Sequence, residues 1–423
     1  MLADQIDNEL SGGKHAGSNG GSGRGGRRPS TGKTMSTLRS RPRTCKRTRR
    51  AARMAAPPPP AADRSPRPAA PPPAARSSVF ISTYDWNDGC LVYGVRLESA
   101  APPSSPSDDP ATTPAMQILR PSSEPLVCWS EEEHKYRALA AVSGGATILA
   151  LVSRSRETVL RDVATRADAP GPRLRRSKRH PAMLPLGDDT VLVMDMELRR
   201  PGRCCFEALR RRVPGGGWRA EAVPDPPAAF LDDDNITGYF AMGTRVWISV
   251  SGKGTLSLDM AEIGGAWRVE GTWELPLSER GIFVPELGVV IGVPRRLSHR
   301  YLFTRCVQVC ALDVEAGRPP AVLRVCDIPP PECVEAADMP CSPEVVSLAY
   351  LGDGRFCVSR SVDVKVPRPE GGLCREKGTS FTLVDASRLP DGGDLELAKH
   401  GKAHCHVWPF GDTGHATFLQ PAY

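Results

Sequence analysis

The chain has 423 residues with 42 prolines and 40 glycines, a length that allows two or three domains or one large all-β domain with tails. Its formal net charge is +7, but residues 1–76 contain 16 Lys and Arg against 4 Asp and Glu, so residues 77–423 carry a net charge of −5. This weakly acidic body argues against broad nucleic-acid binding by the body, and its longest apolar run, Ala138 to Val152, is too short to span a bilayer.

The cysteine content indicates an intracellular protein. There are 13 cysteines, an odd number, without a Cys-x-x-Cys motif, and no apolar signal peptide opens the chain. We therefore expect reduced thiols in an intracellular compartment.

Residues 1–76 have the composition of a disordered arm. A Gly/Ser/Arg tract, Gly17 to Arg28, leads into the basic run Arg39 to Arg53, and a Pro/Ala tract follows. Such a segment buries too little apolar surface to offset the entropy of ordering it. We expect this arm to be flexible.

The basic run is the feature of the arm to which a mechanism can be assigned. It holds eight Lys and Arg within Arg39 to Arg53, a density that suits an acidic nuclear-import receptor or, weakly, nucleic-acid phosphates. The candidate nuclear-targeting residues are Arg43, Lys46, Arg47, Arg49 and Arg50. A solvated basic tail without a role explains the run equally well. Asp4, Asp7 and Glu9 argue against a chloroplast transit peptide, so nucleus or cytoplasm is the favoured location.

The body begins at Ser78 with an expected hairpin, whose strands near 79–84 and 90–97 flank an Asn87-Asp88-Gly89 turn. Further strand-like segments follow along the chain, although the composition of Glu131 to Ala141 suits helix as well as strand. The segment Pro367 to Lys377 reads as a loop.

The clearest pattern lies in Thr237 to Leu277. Val246, Ile248 and Val250 alternate with polar or aromatic residues, and after a Gly turn Leu256, Leu258 and Met260 repeat the same period of two. This alternation predicts antiparallel strands with one buried face, about the size of one propeller blade. Such a unit needs neighbours of its own kind to bury its apolar side chains.

A weak internal repeat supports a radial arrangement of such units. An apolar strand ending in Asp recurs at Asp162, Asp195, Asp259, Asp313 and Asp385, where Asp can close a turn by bonding its own backbone. We predict an all-β propeller of about six blades over residues 78–410, followed by a C-terminal tail at 411–423.

Several motifs in register resemble those of plant kelch-like proteins of unknown function that are expanded in grasses. These motifs are Cys205 to Leu209, Trp218, Val223 to Pro227, Gly254 to Asp259, Gly271 to Pro276, Pro285 to Leu287 and Tyr350 to Cys357. The resemblance covers about residues 78–410 and implies a kelch-type or F-box-associated-type propeller without an established catalytic residue. In a departure from that family, Leu258, Leu277 and Val290 occupy positions that are typically aromatic there.

Two candidate ligand motifs do not meet their geometric requirements. Gly26 to Thr34 ends in Gly-Lys-Thr, but its glycine spacing is one residue too long for a phosphate-binding loop. His404, Cys405 and His406, with Cys374 upstream, offer metal-binding atoms, but Cys405 would point away from the two histidines in a strand. Buried cysteine acting as a small apolar residue is the favoured interpretation. The sequence therefore predicts no metal and no cofactor.

Two classes of function remain open. The first is a non-enzymatic, monomeric propeller that binds a protein or peptide through its loops. The second is a propeller enzyme of hydrolase or oxidase type with a site in the central channel. A propeller fold supports both, but no cluster of channel-type His, Tyr or acidic residues is recognisable, so binding is favoured. No F-box-like helical segment is recognisable before the propeller.

Overall fold

The computed structural model describes residues 78–85, 89–96, 118–119, 125–129, 137–152, 155–198, 205–211, 216–231, 234–262, 265–295, 306–330, 346–367, 371–389, 393–407 and 417–419. The arm with its candidate targeting residues lies outside these ranges. In the described part of the chain the ordered elements are strands and two short 3-10 turns, Ser143–Gly145 and Ala228–Phe230.

The strands are short in the first four fifths of the chain and longer near its end. In chain order the first are β1 (Ser78–Asp85), β2 (Gly89–Arg96), β3 (Ile118–Leu119), β4 (Val127–Trp129), β5 (Arg137–Val142), β6 (Thr147–Val152), β7 (Thr158–Asp162), β8 (Asp168–Pro170) and β9 (Pro181–Pro185). Next come β10 (Thr190–Asp195), β11 (Glu197–Leu198), β12 (Phe206–Arg211), β13 (Trp218–Ala222), β14 (Asp234–Met242), β15 (Arg245–Val250), β16 (Gly254–Asp259), β17 (Arg268–Gly271) and β18 (Glu279–Arg280). The last are β19 (Ile282–Val284), β20 (Val289–Gly292), β21 (Val307–Asp313), β22 (Ala321–Ile328), β23 (Val346–Gly352), β24 (Arg355–Pro367), β25 (Leu373–Arg388), β26 (Leu395–Val407) and β27 (Thr417–Leu419).

The described strands form six sheets, which are the blades of a propeller. From the inner to the outer edge the first three blades are β27-β1-β2-β4, β5-β6-β7-β8 and β9-β10-β12-β13. The fourth is β14-β15-β16-β17, with β11 and β18 both paired to the inner edge of β14. The fifth is β19-β20-β21-β22 and the sixth is β23-β24-β25-β26-β3. The predicted all-β propeller fold is confirmed.

The core is divided into six clusters, one between each pair of adjacent blades. The cluster between the sixth and the first blade, which includes Phe381 and Ile81, completes the ring. Each blade therefore has apolar side chains on both faces. In β15, Val246 and Ile248 belong to the cluster with the third blade, whereas Trp247 belongs to the cluster with the fifth.

This arrangement confirms part of the strand pattern and corrects the rest. Val246, Ile248, Leu256 and Leu258 are buried as predicted. The prediction of a single buried face is wrong: Trp247 and Ser249 on the opposite face are also buried, because a blade inside a ring has a neighbour on each side. The alternation of side chains along a strand therefore indicates toward which side of the blade a residue points. It does not indicate whether another blade lies on that side.

The C-terminal segment takes part in the first blade. β27 pairs antiparallel with β1 from Phe80 opposite Leu419 to Ser82 opposite Thr417. These residues fall in the range that the sequence assigns to a tail. Their pairing supplies the inner strand of a blade whose other strands come from the start of the body, so the two ends of the body meet in one sheet.

The repeated aspartates mark corresponding positions in most blades. Asp162, Asp259, Asp313 and Asp385 all lie in the third strand of their blade, while Asp195 ends a second strand. The predicted turn-closing role holds for Asp162 and Asp259, which accept hydrogen bonds from the amides of Thr165 (2.7 Å) and Ala261 (3.0 Å).

One predicted loop is wrong. The segment Pro367 to Lys377 includes the beginning of β25, and the long hairpin of β24 and β25 extends to the pair Pro367 and Leu373. The turn is therefore confined to the residues between these two strands. Among the described residues, no helix is long and apolar enough to cross a membrane.

Candidate functional site

A cleft opens between the third and the fourth blade. Its third-blade wall comes from β12 and β13, and its fourth-blade wall from the end of β16 and the turn that follows. In β12 the residues Phe206, Ala208 and Arg210 share one face because side chains alternate along a strand. Phe206 and Ala208 enter the core, while Arg210 extends the same row to the surface.

Two cross-blade hydrogen bonds hold the walls of the cleft together. The indole Nε1 of Trp267, in the fourth blade, donates to the carbonyl of Pro224 at 2.7 Å, and its ring lies 5.0 Å from that of Phe206. The Arg210 Nη2 donates to the carbonyl of Met260 at 2.6 Å. These bonds order the cleft before any ligand arrives, which lowers the entropic cost of binding.

The rim of the cleft is charged and predominantly acidic. Glu221, Asp259 and Glu262 contribute carboxylates, and among the described residues of the lining Arg210 is the single basic side chain. Arg210 Nε lies 3.6 Å from Glu221 Oε2. The Ala261 amide and the Thr244 hydroxyl donate to Asp259 and lower the pKa of its carboxyl below the ordinary value of 3.8. Asp259 is therefore a fixed negative charge at neutral pH.

The cleft has a volume of about 240 Å³ and an apolar floor. Val223, Leu258 and Met260 are buried beneath the rim. No hydroxyl, thiol, imidazole or amine side chain is among the described residues that line it. The cleft can therefore hold an amphipathic group by apolar contact and charge, and carboxylates are the ionisable acidic groups that its described lining presents.

Residues of the sequence motifs described above stabilise the blades around the cleft. Asp225 accepts a hydrogen bond from the Cys205 amide at 3.0 Å. At Gly254, with φ of +113°, an added Cβ would lie 2.2 Å from the carbonyl oxygen of Gly271. Glycine is required there because two backbones approach closely. These motif residues therefore shape the fold.

Buried carboxylates fix the loop that precedes the third blade. Glu207 is fully buried, pairs with the buried Lys178 at 2.7 Å and accepts the amides of Arg175 and Arg176. Asp195 accepts the amides of the following residues, Arg179 and His180. Five backbone or side-chain donors of one loop thus bond to two carboxylates, and the loop is rigid where it joins the blade.

The residues that the sequence singled out do not meet in one site. Arg43, Lys46, Arg47, Arg49 and Arg50 lie outside the described residues. His404, Cys405 and His406 lie in β26, where Cys405 is buried, and Cys374 lies near Glu376, with Sγ 3.5 Å from its Oε1. Within the described ranges no group of three or more His, Cys, Asp or Glu is placed to hold a metal ion.

Burial holds two of the buried cysteines, Cys310 and Cys357, in the protonated form. Cys90, Cys205, Cys310, Cys357 and Cys405 are buried. Burial raises the pKa of Cys310 to about 12 and that of Cys357 still further. A thiol held protonated in this way is a weak nucleophile and a poor metal ligand.

The sequence reasoning missed the cleft. The available signal was Arg210, a charged residue in register with the core-facing Phe206 and Ala208. It also missed Glu279, which lies in β18 on the inner edge of the fourth blade. Glu279 has a left-handed φ of +59° and is exposed, yet desolvation by the surrounding protein raises the pKa of its carboxyl. No pattern in the sequence marks this residue.

Comparison with known proteins identifies a family. Residues 76–406 match the family described as "Protein of unknown function (DUF1668)". No curated protein matches the chain.

Solved structures similar to the chain include proteins of several kinds. A putative 6-phosphogluconolactonase from Bacteroides uniformis is 11% identical with a TM-score of 0.43, over 81% of this chain and 100% of that one. The β-propeller domain of Cps50 (Swd1) from Myceliophteria thermophila is 10% identical with a TM-score of 0.36, over 76% and 93%. TolB from Acinetobacter baumannii is 9% identical with a TM-score of 0.37, over 81% and 67%. At these sequence identities and TM-scores, none of the three structures indicates a function for the chain.

Proposed function

The chain belongs to the family of unknown function DUF1668, and we propose that it is a non-enzymatic interaction module that binds a protein partner. In this proposal the partner inserts a lysine or arginine side chain into the cleft between the third and the fourth blade. The observation that carries it is a preformed cleft with an apolar floor and an acidic rim.

The size of the cleft favours a side chain over a small molecule. Its volume of about 240 Å³ is below the roughly 300–1,000 Å³ of typical small-molecule pockets. A lysine or arginine side chain has an apolar stem for Val223, Leu258 and Met260 and a cationic head for the rim. The carboxylates of Glu221, Asp259 and Glu262 outnumber the cations of Arg210 and of Arg245, whose Nη2 lies 4.0 Å from Asp259, so a cation is preferred over an anion.

Selection from a library of random peptides tests this proposal. The full chain is immobilised, and peptides that bind it are enriched, sequenced and synthesised. We expect the enriched peptides to share a lysine or arginine, and Glu262→Lys to weaken their binding by at least about tenfold, or roughly 1.4 kcal/mol. Glu262 is suited to this test because it is exposed and its substitution should not disturb the core.

A matched control separates the cleft from general electrostatics. Glu157→Lys makes the same charge change at an exposed position in the second blade, and it should leave the affinity unchanged. Peptides that lack a basic residue, or that bind both variants as well as the parent chain, would rule out recognition by the cleft.

A propeller enzyme of hydrolase or oxidase type is the second candidate, and Glu279 is the observation that favours it. A carboxyl with a raised pKa at the inner edge of a blade could act as a general acid or base in the central channel. Hydrolysis of p-nitrophenyl acetate by the parent chain, lost in Glu279→Gln, would support the hydrolase form. Equal rates for the two proteins would dismiss Glu279 as the group responsible.

The proposal also includes expectations from the sequence about the type of propeller, its nuclear import and its monomeric state. The motifs from Cys205 to Cys357 support a kelch-like or F-box-associated type of propeller from a plant. The basic run at Arg39 to Arg53 supports nuclear import of a monomeric intracellular protein. A fluorescent fusion of the full chain, compared with one beginning at Met54, tests the import. Equal distributions of the two fusions would remove the targeting role.

A further inference from the structure

The outer strand of the fifth blade, β22, carries most of the exposed apolar side chains of the described structure. Its residues from Ala321 to Val325 are all exposed. Val322, Leu323 and Val325 are 51%, 42% and 46% exposed, and they are three of the five large hydrophobic residues that are exposed among the described residues. Apolar groups clustered on one strand mark an interaction surface more than scattered ones do.

One edge of this strand has no strand beside it. β22 pairs with β21 on its inner side, and in the described part of the chain no strand pairs with its outer edge. An unpaired edge presents a row of backbone N–H and C=O groups that another extended chain can join.

The outer strands of the other blades are protected in ways that β22 is not. β4 and β8 have three residues each, and β8 ends in Pro170. β13 has five residues and none of them is an exposed large hydrophobic, β17 has only four residues, and the outer edge of β26 pairs with β3. Short or covered edges are a usual protection against pairing with other chains. β22 has eight residues, of which Val322, Leu323 and Val325 are exposed.

The two faces of β22 differ. Cys326 and Ile328 lie on the face that packs against the sixth blade, with Val307 and Val309 opposite them in β21. Val322 and Val325 lie opposite Leu312 and Cys310 on the other face, where they remain exposed. The strand is therefore anchored on one face and displays apolar groups on the other.

The charged residues of β22 disfavour a second copy of this chain at its outer edge. Arg324 is exposed and forms no ion pair with a described residue, whereas Asp327 accepts a hydrogen bond from Gln308 Nε2 at 2.8 Å. Antiparallel pairing of two copies about a twofold axis at residue 324 would place two Arg324 side chains opposite each other. An axis at 325 or 326 would place Asp327 opposite Leu323 or Val325. Like charges, or a charge facing an apolar group, disfavour such pairs.

We propose that the outer edge of β22 accepts an extended segment of another protein by strand addition, with an acidic residue opposite Arg324 and apolar residues beside Val322 and Val325. Backbone hydrogen bonds would supply affinity, and the Arg324 charge would select the sequence. This surface goes beyond the cleft of the proposed function and does not depend on it.

Fluorescence anisotropy with two labelled peptides tests the proposal. One is a short peptide of alternating valine and threonine with a central glutamate, and the other has lysine in its place. We expect the glutamate peptide to bind at least about tenfold more tightly, and Arg324→Glu to reverse the preference. Arg219→Glu, the same change in the outer strand of the third blade, should leave the preference unchanged. N-methylation of the amides along one edge of the peptide should abolish binding.

Hydrogen exchange provides a second readout on the parent chain. The glutamate peptide should slow exchange of amides in β22, and Glu262→Lys in the cleft should not alter this effect, so the two sites can fail independently. Equal affinity for the two peptides, no binding of either, or indifference to Arg324→Glu would overturn the proposal. Concentration-dependent dimerisation abolished by Val325→Lys would overturn it as well, in favour of a second copy.

Discussion

Two regions of the propeller differ in how their side chains are covered. One is the interface between the third and the fourth blade, and the other is the outer strand of the fifth blade. At the interface, Trp267 and Arg210 reach across to the carbonyls of Pro224 and Met260. At the outer strand, Val322 and Val325 remain exposed. Both regions are built from strands with apolar residues, so composition does not distinguish them.

The difference lies in what each region has beside it. The outer parts of the third and fourth blades are joined by long side chains that carry a donor, whereas no described strand pairs with the outer edge of β22, and Val322 and Val325 on one of its faces are exposed. A propeller needs tight contacts between blades near the ring, and its periphery can be used for recognition. The first region should therefore respond to mutation through stability and the second through association.

The largest effect is expected at the buried pair beneath the third blade. Glu207→Ala should lower the free energy of unfolding by about 3–5 kcal/mol, because it leaves the Lys178 ammonium buried without its partner. Denaturant unfolding measures the loss. The double variant Lys178→Met with Glu207→Leu should recover much of the stability. A small loss in Glu207→Ala alone would show that water reaches Lys178.

Trp267→Ala tests the closed interface and should cost about 3–5 kcal/mol, since it removes a buried aromatic ring and its hydrogen bond to Pro224. Val325→Ala in the exposed strand is the contrasting variant and should change stability by less than about 0.5 kcal/mol. Thermal or denaturant unfolding compares the two. Similar losses would mean that the two regions do not differ as described.

Arg210→Met tests the second cross-blade bond. It keeps most of the apolar stem and removes the donor to the Met260 carbonyl, so we expect a loss of about 1.5–3 kcal/mol in the free energy of unfolding, the range for hydrogen bonds to charged groups. An unchanged unfolding midpoint would show that water replaces the guanidinium at this carbonyl.

The smallest effect is expected at Glu279 and depends on pH. Desolvation raises its pKa above the ordinary value of 4.5 in the folded protein, so ionisation costs stability as the pH rises above that value. Glu279→Gln removes this cost. The variant should match the parent chain below about pH 4 and melt at a higher temperature at neutral pH. A difference in melting temperature that does not vary with pH would contradict this assignment.

Residues of the fourth blade show which features of the fold could be predicted from the sequence. The alternation from Val246 to Leu258 predicted the strands of the fourth blade, and the core residues that it marked, Val246, Ile248, Val250, Leu256 and Leu258, are buried. The alternation did not indicate that Ser249, on the opposite face, is buried as well. Local periodicity gives the direction of a side chain, but the presence of a neighbour on that side is a property of the ring.

The candidate site was less predictable than the fold. Arg210 and Glu221 come from adjacent strands of the third blade, while Asp259 and Glu262 follow a strand of the fourth. These four residues have no common motif because they are brought together by the packing of two blades. A search for motifs of close spacing could not find them.

By itself the sequence determined the all-β class, most of the strands and the approximate size of one blade, since these depend on local alternation and turn residues. Tertiary structure alone decided that both faces of each blade are buried, that Thr417 to Leu419 joins the first blade, and that the cleft forms. It also decided that β22 keeps an exposed edge. These features depend on contacts between residues far apart in the chain, which local patterns do not encode.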